Sequence, residues 1–142
     1  MMPETELSLT KQDYEALAAF RAAIRRFTRF SEEGARDAGI TPQQHQALLA
    51  IMGQQDRQWA SIAEIADFLQ LKHHTTVGLI DRCCAAGLVE RNSDPTDRRQ
   101  VRVTLTQKGE YLLRDLSTRN LKELKSLRKL MKLSVIDRRS EF

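Results

Sequence analysis

The chain has 142 residues, 41% of them apolar and 30% charged, and its 23 Lys and Arg against 19 Asp and Glu leave a formal charge of +4. That is enough for one domain with a proper core, or for a small domain with an oligomerisation arm, and the mildly basic balance is compatible with a polyanionic partner. No apolar run reaches the length of a membrane span and no basic-then-apolar leader opens the chain, so a cytoplasmic protein with no membrane partner is expected.

Residues 10–35 place Leu17, Phe20, Ile24 and Phe27 at steps of three and four, which predicts one stripe of a long helix ended by Gly34 and Gly39. The stretch "TPQQHQALLAIM" predicts a second helix. Thr41 and Gln44 form a capping box, Pro42 fits the first turn, and Leu48, Ile51 and Met52 make the apolar face. After a polar connection, "SIAEIADFLQL" opens with another capping box, Ser61 to Glu64, and Ile62, Ile65, Ala66 and Leu69 mark a short amphipathic helix. Then "HHTTVGLIDRCCAAGLV" predicts a third helix with Val77, Ile80 and Cys84 inward and Gly87 in a left-handed C-terminal position. Two short helices across a turn, the second polar at its start, outline a helix-turn-helix.

A strand over 88–91, a loop over 92–99 and a returning strand over 100–105 follow, with Asp94-Pro95 favouring the turn. Val101, Val103 and Leu105 are expected to pack onto the helices, Arg102 to face out, and Arg98 and Arg99 to sit at the tip. Thr106 caps a last long helix over 107–136, in which Leu113, Leu116, Leu124, Leu127 and Met131 keep a near-heptad rhythm broken at Asn120. The predicted fold class is mainly α with a small β-hairpin wing. A winged helix-turn-helix over 41–106 is flanked, within a single chain of 1–142, by terminal helices over 10–35 and 107–136. The apolar stripes of those two helices exceed what one small winged domain can cover, so they are expected to hold a homodimer.

A helix-turn-helix with a cationic wing predicts contacts to double-stranded DNA. The start of its second helix enters the major groove, where His73, His74, Thr75 and Thr76 can exchange hydrogen bonds with base edges and the threonine methyls can meet thymine. A metal on His73 and His74 is the rival reading. Adjacent helical residues diverge in direction, so without further ligands no metal is assigned. Arg82 can reach a phosphate, or brace Asp81 or the wing. Arg98 and Arg99 bring charge to the duplex, and Asp97 holds a neighbouring arginine in position. Cys83 and Cys84 are adjacent and cannot staple distant segments; they read as core residues, with a thiol-based redox sensor as the alternative. Arg21, Arg25, Arg26 and Arg29 on the first helix read as a solvated face, with the lining of a pocket as the alternative. No phosphate loop, zinc-protease motif or nucleophile elbow is present, so no catalytic residue and no cofactor are assigned.

The stretches "GLIDRCCAAGLVERNSDPTDRRQVRVTLTQKG" and "LKHHTTVGLIDR" resemble the MarR family of bacterial transcription regulators, and the likeness runs from about Tyr14 to Leu133. Its most specific part is Asp97-x-Arg99 followed by Val101, Leu105, Thr106 and Gly109. The resemblance implies an obligate homodimer with interlocking terminal helices and two winged domains that read a pseudo-palindrome. It implies further that Arg99 inserts toward the minor groove, and that a small anionic or phenolic effector binds between dimer arm and winged domain, with Arg25, His45 and Trp59 as candidate lining residues. A ligand-responsive repressor is the function expected on these grounds. A redox-sensing regulator and a winged-helix protein-interaction module are the alternatives.

Overall fold

The computed structural model describes residues 8–132. In chain order the elements are α1 (Lys11–Asp37), α2 (Pro42–Met52), β1 (Trp59–Ala60), α3 (Ile62–Leu69), α4 (His73–Ala85), β2 (Val89–Ser93), β3 (Val101–Leu105) and α5 (Gln107–Leu127), with a 3₁₀ turn at Arg128–Met131. The chain is therefore mainly helical with one small antiparallel sheet, as the sequence pattern predicts. The expected helix over 107–136 extends past the described residues.

Local chemistry sets the helix ends. Thr41 Oγ1 accepts the Gln44 N–H at 3.0 Å while Gln44 Oε1 accepts the Thr41 N–H at 2.9 Å. Ser61 and Glu64 make the same reciprocal pair at the head of α3, so two donors are satisfied at each start. Gly34 does not end α1, contrary to the sequence reading. Gly34 and Ala35 are both buried within the helix, which runs on to Asp37 before Gly39 turns the chain at φ 85°. An interior glycine costs a helix only about 1 kcal/mol, which packing can override.

The hairpin has a third strand that period-two alternation could not reveal, because β1 is two residues long. The sheet order is β1-β3-β2, all antiparallel, with Trp59 opposite Thr104, Ala60 opposite Val103, and Asn92 opposite Arg102. Val103 and Leu105 reach the core, whereas Val101 stays 38% exposed at the outer end of the strand, opposite Ser93. Leu48 and Ile51 of α2, Ile65 of α3, and Leu79, Ile80 and Cys83 of α4 share that core with Leu88 and Val103. The inward face of α4 is thus Thr76, Leu79, Ile80 and Cys83, one step round from the expected Val77, Ile80 and Cys84. The reason lies in Thr76. Its hydroxyl donates to the Lys72 carbonyl at 3.0 Å, so this polar residue can be buried where polarity alone places it outside.

The start of α5 fastens the root of the wing. The Thr106 N–H donates to the Leu88 carbonyl at 3.0 Å, the Thr106 hydroxyl to the Gly87 carbonyl at 2.6 Å, and Lys108 Nζ to the Ala86 carbonyl at 2.9 Å. Thr106 Oγ1 also accepts the Gly109 N–H, the capping bond expected of it. Gly109 permits this approach, because a Cβ there would lie 2.1 Å from the Leu88 carbonyl oxygen.

Two compact units make up the chain, Glu32–Thr118 on the one hand and the residues before and after it on the other. The first contains the helix-turn-helix and the wing. The second contains most of α1 and the end of α5. It buries Ala16, Ala23, Ser31 and Leu127, yet leaves Tyr14, Leu17, Ile24, Leu121, Leu124 and Leu130 exposed. Asn120, the break in the leucine rhythm, donates to Ser31 Oγ at 3.2 Å.

Candidate nucleic-acid interface

α4 begins with a polar, uncovered turn. His73, His74 and Thr75 are exposed, and the residue before them, Lys72, offers no side-chain cap. The first N–H groups of α4 therefore lack the capping oxygen that α2 and α3 possess. Unsatisfied amides, the positive end of the helix dipole and a lysine together favour an approaching anion such as phosphate. Thr76 must be withdrawn from the residues expected to read bases. It is fully buried and its hydroxyl proton is already committed to the Lys72 carbonyl. Arg82 is exposed further along α4. It does not brace Asp81, which pairs with Arg91 of β2 instead.

The wing tip is built around Asp94, a residue that sequence reasoning noticed only as part of a turn. Its Oδ1 accepts the Thr96 N–H at 2.8 Å, the Thr96 hydroxyl at 2.8 Å and the Asp97 N–H at 3.4 Å. Its Oδ2 pairs with Arg102 at 3.4 Å. The Thr96 N–H, then the Thr96 hydroxyl and the Arg102 charge, outweigh desolvation and hold the Asp94 carboxyl below the usual carboxylate range. Asp97 works on the backbone: its Oδ1 accepts the Arg99 N–H at 3.0 Å. Arg98 and Arg99 are exposed at the end of this turn.

Arg102 does not face out as expected. Its guanidinium lies 4.1 Å from the centroid of the Trp59 ring, and the Arg57 guanidinium lies 4.2 Å from the same centroid. Arg57 in turn pairs with Glu64. Burial pushes the Glu64 carboxyl up, but hydrogen bonds from Ser61 and Arg57 bring it below its ordinary value. Contacts of this kind contribute about 0.5–1 kcal/mol when exposed and about 2 kcal/mol when desolvated. Two alternating carbons of β3 explain the geometry, since Arg102 is the diagonal neighbour of Trp59 across the β1–β3 pair.

The remaining candidates divide by role. Cys83 is fully buried, and burial together with the neighbouring Cys84 pushes its thiol up to about 11, against a smaller opposing effect of Arg82. That is the chemistry of an inert core thiol. Cys84 is half-buried and its sulfur accepts from Arg91 at 3.4 Å. His45 is a core residue at 2% exposure, and burial lowers its pKa. Trp59 is occupied by the two arginines, and Arg25 is exposed on α1. None of these three lines the cleft of about 360 Å³ formed by Leu49, Met52 and Gly53 of the α2 end, Gln58 before β1, and Glu110, Leu113, Arg114 and Ser117 of α5. Among the described residues no helix is long and apolar enough to cross a membrane, and no three His, Cys, Asp or Glu side chains converge on a common point.

A helix-turn-helix with an uncovered polar start to its second helix, followed by a hairpin with a preorganised cationic turn, has the architecture of a winged helix-turn-helix. Comparison with known proteins agrees. The sequence model of the MarR family matches residues 38–100. The chain is 29% identical over 123 residues to the uncharacterized HTH-type transcriptional regulator YsmB of Bacillus subtilis, covering 84% of this chain and 82% of that one. It is 34% identical over 93 residues to the HTH-type transcriptional repressor NicR of Pseudomonas putida, covering 66% and 57%. Among solved structures, BpsR of Bordetella bronchiseptica, described in a study of how 6-hydroxynicotinic acid regulates its DNA binding, aligns with a TM-score of 0.58 at 27% identity, over 75% of this chain and 79% of that one. Over residues 38–100 the chain is therefore similar to the MarR family of transcriptional regulators.

Proposed function

We propose that the protein is a ligand-responsive transcriptional repressor that binds a pseudo-palindromic operator as a homodimer. The observation that carries the DNA-binding part is the pairing of two unlike surfaces on one unit. His73, His74 and Thr75 stand uncovered at the start of α4, and Arg98 and Arg99 stand on a turn organised by Asp94. A protein-interaction scaffold needs neither. The fully buried, high-pKa Cys83 speaks against the redox reading.

The dimer rests on the terminal helices. Leu17 and Ile24 of α1 and Leu121 and Leu124 of α5 are large apolar side chains left between 39% and 58% exposed in the single chain. Burying such surface stabilises by about 25 cal/mol per Å², so a second copy is the natural cover. The effector is a small aromatic acid. The cleft lined by Leu49, Met52 and Leu113 offers apolar walls, and Arg114, Gln58 and Ser117 offer a cation and hydrogen-bonding groups. One similar structure supports a ligand of that kind, BpsR, whose DNA binding is regulated by 6-hydroxynicotinic acid, and the similarity to the repressor NicR supports repression.

The deciding experiment selects genomic fragments that the purified protein retains. Bound fragments are expected to share an inverted repeat with half-sites about one helical turn, or about 10 base pairs, apart. An unrepeated motif, or a sedimentation mass of one chain at micromolar concentration, contradicts the dimeric mechanism. Release of those fragments by hydroxylated aromatic acids, lost in Arg114→Leu, tests the effector site.

A further inference from the structure

Five side chains make one continuous line of contact across the small sheet, and neither base reading nor phosphate contact uses them. Glu64, in the first turn of α3, pairs with Arg57. Arg57 and Arg102 both lie against the ring of Trp59. Arg102 pairs with Asp94, and Asp94 gathers the Thr96 and Asp97 amides into the turn before Arg98 and Arg99. The line therefore runs from the first helix of the helix-turn-helix to the tip of the wing.

Arg102 is held there at a cost. Its Nε is buried and makes no hydrogen bond among the described residues. A guanidinium prefers to have its five N–H groups satisfied, and water would satisfy them all if the side chain swung outward. What offsets this is the π face of Trp59 on one side and the Asp94 carboxylate on the other. A side chain serving only as filler at position 59 needs no π face.

We infer that Trp59 is a positioning residue for DNA binding: its ring holds Arg102 against Asp94 and so fixes the turn that presents Arg98 and Arg99. The inference rests on the DNA-binding reading of the wing, which the second experiment below tests separately. Without the ring, Arg102 is released to solvent, Asp94 loses its countercharge, and the tip samples many conformations before each encounter with DNA. A disordered tip must be ordered on binding, which weakens affinity although no phosphate contact has been removed.

The first experiment needs no DNA. Heteronuclear relaxation of the full-length chain reads the order of the backbone at 94–99. Trp59→Leu is expected to lower that order while the amides of α2 and α3 stay unchanged, and Trp59→Phe, which retains a π face, is expected to keep it. Arg102→Met makes the same prediction should Trp59→Leu not fold, and it should also shift the emission of Trp59, the chain's single tryptophan. Unchanged order at 94–99 in these variants overturns the inference. The second experiment measures binding to a mixed-sequence duplex of about 30 base pairs at low salt, where phosphate contacts dominate. Arg99→Ala is expected to weaken wild-type binding about tenfold but to weaken the Trp59→Leu variant less than about twofold. Equal losses in both backgrounds mean that the ring does not position the tip. A silent Arg99→Ala in the wild type means instead that the wing does not touch DNA, and the positioning role falls with that reading.

Discussion

The two surfaces proposed to meet DNA are built on opposite principles. At the start of α4, His73, His74 and Thr75 make no side-chain hydrogen bond or ion pair among the described residues, so each can turn toward whatever base edge it meets. The wing leaves almost nothing to choice. Thr106 and Gly109 bind its root to α5, Trp59 and Arg102 brace its flank, and Asp94 and Asp97 fold its tip. Adaptable groups suit sequence reading, where alternatives must be sampled and rejected. Fixed charges suit phosphate contact, where the target geometry repeats along every duplex.

The largest effect should come from disturbing the fixed surface at its root. Gly109→Ala places a methyl 2.1 Å from the Leu88 carbonyl oxygen, and neither backbone can yield alone. We expect a loss of about 3 kcal/mol, the upper end for overpacking, read by urea unfolding. A change below about 1 kcal/mol would show that the root is pliable and would blur the contrast. At the adaptable surface, Thr75→Ala should leave stability within about 0.5 kcal/mol while relaxing the preference at one base pair of each half-site by about 1–3 kcal/mol. Quantitative binding to single-base operator variants checks this.

Thr76 sharpens the comparison because it adjoins Thr75 but belongs to the core. Thr76→Val removes the hydroxyl that donates to Lys72 and should cost about 1 kcal/mol of stability, with base preferences unchanged. Altered base preferences would return Thr76 to the reading surface. Arg99→Ala should reduce the slope of log affinity against log salt by about one unit, uniformly across sequences. A larger loss on A·T-rich flanks would identify a narrow minor groove as its target.

The smallest effect concerns pH. Burial lowers the His45 pKa below its ordinary value of 6.5, so the unfolded chain takes up a proton more readily than the folded one. Stability should fall as pH drops through 6.5, because the unfolded state then binds more protons. The lowered Asp94 and Glu64 carboxyls act in the same direction but at lower pH, beginning below their ordinary values of 3.8 and 4.5. Thermal melts between about pH 5.5 and 7.5 therefore isolate the histidine, and His45→Gln should flatten them. A melting temperature that does not change over this range contradicts the assignment.

Much was legible in the sequence because it depends on neighbours along the chain. The capping boxes at Thr41 and Ser61, the left-handed Gly87 at φ 72° and the Thr106 cap each need only residues within four positions, and all are present. The winged helix-turn-helix follows from their order, and the resemblance to MarR regulators from the motif around Asp97 and Arg99. What the sequence could not show is which partner a side chain chooses across the fold. Arg102 looks like an outward residue of an alternating strand until β1, two residues long and more than forty positions earlier, brings Trp59 beside it. Thr76 looks like a base reader until the packing of Leu79, Ile80 and Cys83 rotates it inward. Asp94 looks like a turn former until Arg102 arrives to complete its charge. Caps and periodicity are short-range and written locally, whereas cation–π contacts, ion pairs and burial depend on distances that exist only once separate segments have packed together.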